Sequence, residues 1–223
     1  MTPLVSCIMP TYNRRKMVGE ALRCFLSQDW QNKELIVVDD GADVLADLFM
    51  GVPFVSYFRH NGPRMTIGEK RNRCCQLASG EIICHFDSDD WSAPDRVTDQ
   101  MNRLLESGVQ MTGYHSMFFW TELLNKAFRY AGDTNYCMGT SMMYRRELWE
   151  KNHFPQISCG EDNFLWNVAR GLRSVVTVDA GQRLIARAHA NTTSDATRTG
   201  QNSWPQVSRD ALPKQFFLDC GYV

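Results

Sequence analysis

The segment His85-Phe86-Asp87-Ser88-Asp89-Asp90-Trp91 places three carboxylates within four residues at the end of an apolar run. Acids so closely grouped repel one another, which costs stability unless a cation neutralises them, and hard oxygen donors suit Mg2+ or Mn2+. Residues 81–86, Glu-Ile-Ile-Cys-His-Phe, predict a strand, and Ser92-Ala93-Pro94-Asp95 predicts the start of a helix. The acids therefore fall at the carboxyl end of a strand, where open α/β sheets bind their ligands. Taken alone, the same segment also reads as an acidic turn in which Asp89 or Ser92 caps the next helix.

Strand and helix signals alternate through the first half of the chain. Residues 4–9, 34–38 and 52–58 are short apolar runs, residues 17–26 carry helical periodicity, and Thr66-Ile67-Gly68-Glu69 is a capping-box signature opening a helix toward Ala78. Such alternation predicts a mostly parallel sheet with helices on both faces. Beyond Val109 the pattern is more mixed: segments at 111–120 and 127–130, a strand at 138–144, and a helix beginning near Glu161. From Asn191 the composition turns polar and predicts a surface loop or lid; Asn191-Thr192-Thr193 fits the N-glycosylation pattern and would stay unmodified in a cytosolic protein.

With 223 residues and 43% hydrophobic content the chain can bury a full core and predicts one compact domain. The 24 basic and 25 acidic residues nearly cancel, so bulk charge gives no attraction to nucleic acid or anionic membrane. No apolar run approaches the ~20 residues of a membrane span, and the N-terminus carries no signal-peptide core, so a soluble, cytoplasmic protein is expected. The eight cysteines lack C-x-x-C spacing and read as reduced core residues rather than a disulfide frame or zinc site.

Two further motifs fall at predicted strand ends and would face the same crevice as Asp87 to Asp90: Pro10-Thr11-Tyr12-Asn13-Arg14 and Asp39-Asp40-Gly41. The Tyr12 ring could stack on a nucleobase, and the Asp40 carboxylate could accept from a base N–H or a ribose hydroxyl. All these residue types are also ordinary turn residues.

Together, V-S-C-I-M-P-T-Y-N-R, E-L-I-V-V-D-D-G, R-N-R-C-C-Q-L-A-S-G-E-I-I, F-D-S-D-D, G-E-D and H-A-N-T-T-S resemble, in order and spacing, the motifs of glycosyltransferase family 2, over roughly residues 4–194. The resemblance implies an α/β fold of the GT-A (Rossmann-like) class in a single domain 1–223. Residues 1–110 would form the nucleotide-sugar half, 111–190 a small mixed acceptor-side half, and 191–223 a polar C-terminal loop or tail. It implies an enzyme that moves a sugar, with inversion, from a nucleotide diphosphate sugar, expected to be a UDP-sugar, to an acceptor hydroxyl. Mn2+ or Mg2+ would assist. The acceptor would be a saccharide, a lipid-linked molecule or another hydroxyl-bearing compound.

The resemblance carries roles onto particular residues. Pro10, Tyr12 and Asp40 match positions that hold the donor base and ribose. Arg71, with Asn72, matches the family's A-R-N segment, where a planar guanidinium suits a diphosphate. Of the acids, Asp87 resembles a ribose or metal-water ligand, and Asp89 or Asp90 the direct metal ligand. His189 matches a C-terminal His that approaches the metal or diphosphate, and imidazole suits Mn2+ as a third protein ligand. Asp162 matches the acid of the E-D motif, the general base that takes the acceptor's proton. Ser158 and Glu161 have capping-box spacing, which gives Glu161 a structural task and sets Asp162 in the first helical turn, where the macrodipole favours its ionised form. Trp91 and Trp166 are expected in the core, although either could pack a sugar face.

The chain departs from the family where Ala42-Asp43 follows Asp39-Asp40-Gly41, in place of the usual Ser. With no membrane helices or long extension after the His motif, acceptor recognition is expected of residues 111–150 and of the polar tail, which would close over bound donor. Three other readings compete. A nucleotidyltransferase would carry a Gly-rich phosphate loop where Pro-Thr-Tyr-Asn-Arg stands, and an inactive nucleotide-sugar-binding protein would lose its base, whereas Asp162 is present. A modified nucleic-acid base as acceptor would draw on Arg14, Arg15, Lys16, Arg59, Arg64, Lys70, Arg71 and Arg73, against the overall charge of −1.

Overall fold

The computed structural model of the chain describes residues 2–190, 192 and 204–222. The N-terminal half alternates as expected: β1 Val5–Thr11, α1 Arg15–Leu26, β2 Lys33–Asp39, the short α2 Ala46–Phe49, β3 Val55–Arg59, α3 Ile67–Leu77 and β4 Ile82–His85. Neighbouring residues of β1, β2 and β4 point to opposite faces, and both faces are covered. Cys7, Val37 and Cys84 join the core built on α1, while Ile8, Ile36 and Ile83 join the core built on α3. Burial on both faces is why these strands read as continuous apolar runs. The four strands are parallel, in the order β3-β2-β1-β4, so their carboxyl ends share one edge.

The sheet then becomes mixed. After the two-residue β5 Trp91–Ser92 and α4 Arg96–Ser107 come β6 Met111–Thr121, β7 Lys126–Ala131, β8 Met143–Arg145, α5 Arg146–Lys151, α6 Glu161–Gly171, β9 Val175–Asp179 and β10 Leu184–Ala188. β8 runs antiparallel between β4 and β6, and β6 also pairs with β7, β9 and β10 along its length, with an irregularity between Tyr114 and Ser116. The mixed part is thus as extensive as the parallel part.

Two expected elements come out differently. Residues 138–144 do not form one strand: Gly139–Ser141 is a 3-10 turn and only Met143–Arg145 is extended. The turn's carbonyls are claimed by side chains, Gly139 O by His85 Nδ1 (2.7 Å), Thr140 O by Arg96 Nη2 (2.9 Å) and Ser141 O by Gln100 Nε2 (2.6 Å), which removes them from a strand ladder. Nor is the end of the chain a polar tail. β11 Gln206–Val207 pairs with β7, and α7 Lys214–Cys220 buries Phe216 against Trp91 and Trp120. The expected lid and the Asn191 glycosylation pattern fall largely on residues 191 and 193–203, outside the described residues.

All eight cysteines are free, seven of them buried and Cys159 exposed, as expected of reduced core thiols. Among the described residues no helix is long and apolar enough to cross a membrane.

Candidate functional site

The three acids after β4 point in three directions. Asp87 receives Arg71 Nη2 at 3.3 Å on each oxygen. Asp89 Oδ2 accepts from Arg14 Nη1 at 2.6 Å and lies 3.0 Å from His189 Nε2. Burial pushes the Asp89 carboxyl upward, but Arg14 and His189 outweigh it and hold it below the usual carboxylate range. Asp90 turns back into the protein, where Oδ1 accepts the Arg187 N–H at 3.0 Å and Oδ2 the Thr140 hydroxyl. Burial, then Asp89 and Asp87, push Asp90 up to about 7. Asp90 therefore ties the acidic turn to β10 and to the 139–141 turn, while Asp87 and Asp89 keep partial exposure in the cavity. The next helix is not capped by Asp89 or Ser92; its N-cap is Asp95, and the Ser92 hydroxyl accepts from the buried Arg96.

Arg71 is the junction of the site. The capping box of Thr66 and Glu69 forms as the sequence predicts and starts α3, which directs Arg71 toward the strand ends. Its guanidinium, 5% exposed, donates to Glu161 Oε1 at 2.5 Å and to Asp87, and its buried Nε has no partner among the described residues. The expected capping box of Ser158 and Glu161 is absent. Gly160, at φ 80°, is the N-cap of α6 and makes no side-chain cap bond, so Glu161 is released to reach across to Arg71. Burial raises the Glu161 carboxyl and Arg71 lowers it.

Asp40 does not face the ligand space. Its side chain is wholly buried, Oδ1 held by Lys70 Nζ at 2.8 Å and Oδ2 by the Met65 N–H at 2.7 Å. Lys70, which also donates to Thr11 O, is the member of this pair that lines the cavity. Pro10 and Tyr12 line it as expected, and the Arg64 guanidinium lies over the Tyr12 ring at 4.0 Å from its centroid. Gly41 is required where the two strand-end turns meet, since a Cβ there would lie 2.6 Å from Asn13 N and Oδ1.

Across the cavity, Asp162 accepts its own helix's Asn163 N–H at 2.9 Å and packs against Gly139 so tightly that a Cβ on Gly139 would fall 1.7 Å from Asp162 Oδ2. Tyr136 stands near it, bonded to Asn163, and Tyr130, Phe119 and Trp204, which the sequence gave no reason to group, line the same cavity. Trp166 packs edge-on against Tyr136, and Trp91 is buried with its indole N–H on Asp219. The whole cavity encloses about 860 Å³ and gathers Pro10, Tyr12, Arg71, Asp87, Asp89, Asp90 and Asp162 on one wall or another.

Sequence reasoning also missed Arg187 as a site residue and gave Lys70 only as one of the basic residues a nucleic-acid acceptor would draw on. Arg187 bonds Asp89 O through Nε and Glu20 through Nη1, so it fixes the acidic turn from β10. Its position two residues before His189 was the one available signal.

No three His, Cys, Asp or Glu among the described residues group closely enough to cage a metal ion. Mg2+ and Mn2+ are commonly held by one or two protein groups, with substrate phosphates and water completing the shell. Asp89, which lines the cavity, and the buried His189, whose Nε2 lies 3.0 Å from Asp89 Oδ2, set an oxygen and a nitrogen donor side by side.

A family model described as Glycosyl transferase family 2 matches residues 6–152. An uncharacterized glycosyltransferase of Haemophilus influenzae is 32% identical over 118 residues, covering 49% of this chain and 46% of that protein. Among solved structures, S. aureus TarS 1-349 in complex with UDP-GlcNAc superposes with a TM-score of 0.69 at 19% identity, over 85% of this chain and 60% of that one. The mannosyltransferase PcManGT from Pyrobaculum calidifontis, in complex with GDP-Man and Mn2+, gives 0.66 at 19% identity, over 87% and 59%. The chain thus spans about half the length of the Haemophilus relative and about 60% of the two solved chains. With a family match over well more than half of its residues and a fold shared with those solved structures, the chain belongs to glycosyltransferase family 2 and has the GT-A fold.

Proposed function

We propose that the protein transfers a glycosyl group, with inversion, from a nucleotide diphosphate sugar to an acceptor hydroxyl, and that Asp162 is the general base. The observation that carries this reading is that one cavity is lined by the cations Lys70 and Arg71 of α3, by the acids that follow β4 and by a carboxylate at the start of α6. Lys70, Arg71 and Arg14 would face the diphosphate, each pre-oriented by a carboxylate, so that little reorganisation accompanies binding. The acceptor oxygen attacks the anomeric carbon from the face opposite the diphosphate and loses its proton to the Asp162 carboxylate. The bond from the anomeric carbon to the phosphate oxygen breaks, and the nucleoside diphosphate leaves with the electron pair. The Asn163 N–H and the Gly139 backbone hold that carboxylate in place. Asp89 and His189 would hold Mn2+ or Mg2+, which supplies charge to offset the leaving diphosphate. A UDP-sugar is the proposed donor, as TarS is seen with UDP-GlcNAc, with Tyr12 and Pro10 toward the base.

The test is a thermal-shift panel of UDP-, GDP-, CMP- and dTDP-sugars with and without Mn2+, on the wild type and on Asp89→Ala. Metal-dependent stabilisation by UDP-sugars, lost in the variant, is the expected result. Folded protein that no donor stabilises under either condition would refute the proposal.

A further inference from the structure

Resting on that transferase reading, we propose that the acceptor is a neutral saccharide, received on an aromatic platform formed by Phe119, Tyr130, Tyr136 and Trp204 beside Asp162.

The rings form a continuous path from the base outward. The Tyr136 hydroxyl donates to Asn163 Oδ1 at 3.3 Å, next to Asp162. Tyr136 and Tyr130 stand at 6.4 Å between centroids, Tyr130 and Trp204 at 5.2 Å, and Trp204 and Phe119 at 4.5 Å, all tilted or edge-on. The platform is built into the sheet: Phe119 is on β6, Tyr130 on β7, and Trp204 is fixed by the Arg129 N–H bonded to Pro205 O at 3.0 Å and by β11 paired with β7. Rings carry a negative face that attracts the weakly positive C–H face of a pyranose, and the tyrosine hydroxyls supply polar contacts at its rim.

The composition of the walls selects among acceptors. The cations lining the cavity, Arg14, Arg64, Lys70, Arg71 and Arg187, belong to the donor side, and the four rings come from elements that add no cation to the lining among the described residues. A nucleic-acid acceptor, whose binding depends on phosphate contacts, has no grip there. A lipid chain would need a run of aliphatic surface, yet Ile67 and Met138 are the only large aliphatic side chains among the described lining residues. What remains is an amphipathic surface of rings and hydroxyls opposite a carboxylate, which matches a sugar presenting one hydroxyl to a base.

Saturation-transfer NMR with UDP present tests this on the full chain. The probes are methyl β-glucoside, methyl β-galactoside, methyl α-mannoside and methyl N-acetyl-β-glucosaminide, against farnesyl phosphate and a hexathymidylate. The expected result is transfer from aromatic protons to the ring C–H protons of at least one pyranoside. Its affinity should fall about tenfold in Trp204→Ala and persist in Trp204→Phe, with UDP binding by calorimetry unchanged in both. Tyr136→Leu, at the other end of the platform, provides the same reading should Trp204→Ala not fold. Farnesyl phosphate or hexathymidylate binding in place of every pyranoside, no pyranoside binding in UDP-competent protein, or equal affinity in the alanine and leucine variants would overturn the proposal. Pyranoside binding to a protein that takes no nucleotide would instead refute the transferase reading and leave the platform standing.

Discussion

Gly139→Ala should lower kcat on the order of 100-fold by displacing the proposed base. The added Cβ would lie 1.7 Å from Asp162 Oδ2, 2.6 Å from Cγ and 3.0 Å from Cβ, where ordinary contact begins at 3.4 Å. The turn cannot simply retreat, because His85, Arg96 and Gln100 hold its three carbonyls from behind. The carboxylate must therefore yield by more than 1 Å, and misplacing a reacting group by about that distance costs on the order of 100-fold in rate. Such a loss corresponds to about 2.7 kcal/mol of transition-state stabilisation. Overpacking should also lower stability, by about 1–3 kcal/mol. Nucleotide release at saturating acceptor should show the fall in kcat, while calorimetry should give an unchanged nucleotide Kd. Because both changes act through one carboxylate, Gly139→Ala combined with Asp162→Asn should lose little more than Asp162→Asn alone. A kcat within threefold of wild type in folded Gly139→Ala, or a loss confined to nucleotide affinity, would refute both the packing argument and the assignment of the base.

Three further outcomes follow from buried polar groups. Arg71→Met leaves Glu161 and Asp87 without their shared cation, and breaking a buried pair in this way should cost about 3–5 kcal/mol in urea unfolding, or about 6–20 °C in Tm. Wild-type stability would show the triad to be dispensable. Thr11 Oγ1 is buried at the cavity with no partner among the described residues, so Thr11→Val should leave stability equal or up to about 1 kcal/mol higher. If that hydroxyl instead waits for the donor, nucleotide-sugar Kd should rise about fivefold or more by calorimetry; an unchanged Kd would exclude it from binding. Burial, then Arg71, hold His85 well below the usual imidazole range, so the folded state keeps it neutral while the unfolded chain protonates it near pH 6.5. Its contribution is full above that pH and is lost as pH falls, with a slope of up to about 1.4 kcal/mol per pH unit that His85→Gln should abolish. Parallel stability curves for wild type and variant between pH 7 and 5 would contradict this.

What the sequence disclosed and what it hid divide along the range of the interactions. Asp87, Asp89 and Pro10 were legible as cavity residues because parallel strands buried on both faces announce themselves as apolar runs whose carboxyl ends lie at the crevice, and Arg71 because the local capping box starts the helix that carries it. Glu161 was misread because Ser158-x-x-Glu161 is a local pattern, whereas the partner that claims it, Arg71, is 90 residues away. Asp40 followed the same course with Lys70, 30 residues on, and residues 138–144 with Arg96 and Gln100, whose side chains decide the backbone of a segment they do not adjoin. Trp204 was invisible because a polar composition preceded it, and only pairing with β7 returns it to the cavity.

The same long-range pairs explain why net charge said so little about the site. Four of the five donor-wall cations among the described residues meet a carboxylate: Arg14 with Asp89, Lys70 with Asp40, Arg71 with Asp87 and Glu161, and Arg187 with Glu20. A diphosphate entering this wall meets guanidinium and ammonium groups whose orientation is already fixed and whose desolvation has largely been met by folding. On the proposed transferase reading, its gain over the resident carboxylates would come from groups those carboxylates leave unsatisfied, of which the buried Arg71 Nε and the Thr11 hydroxyl are two. Selectivity for a diphosphate would, on that reading, rest on a few unfilled hydrogen bonds inside a charge-balanced frame rather than on an excess of positive charge, in a chain whose net charge is −1.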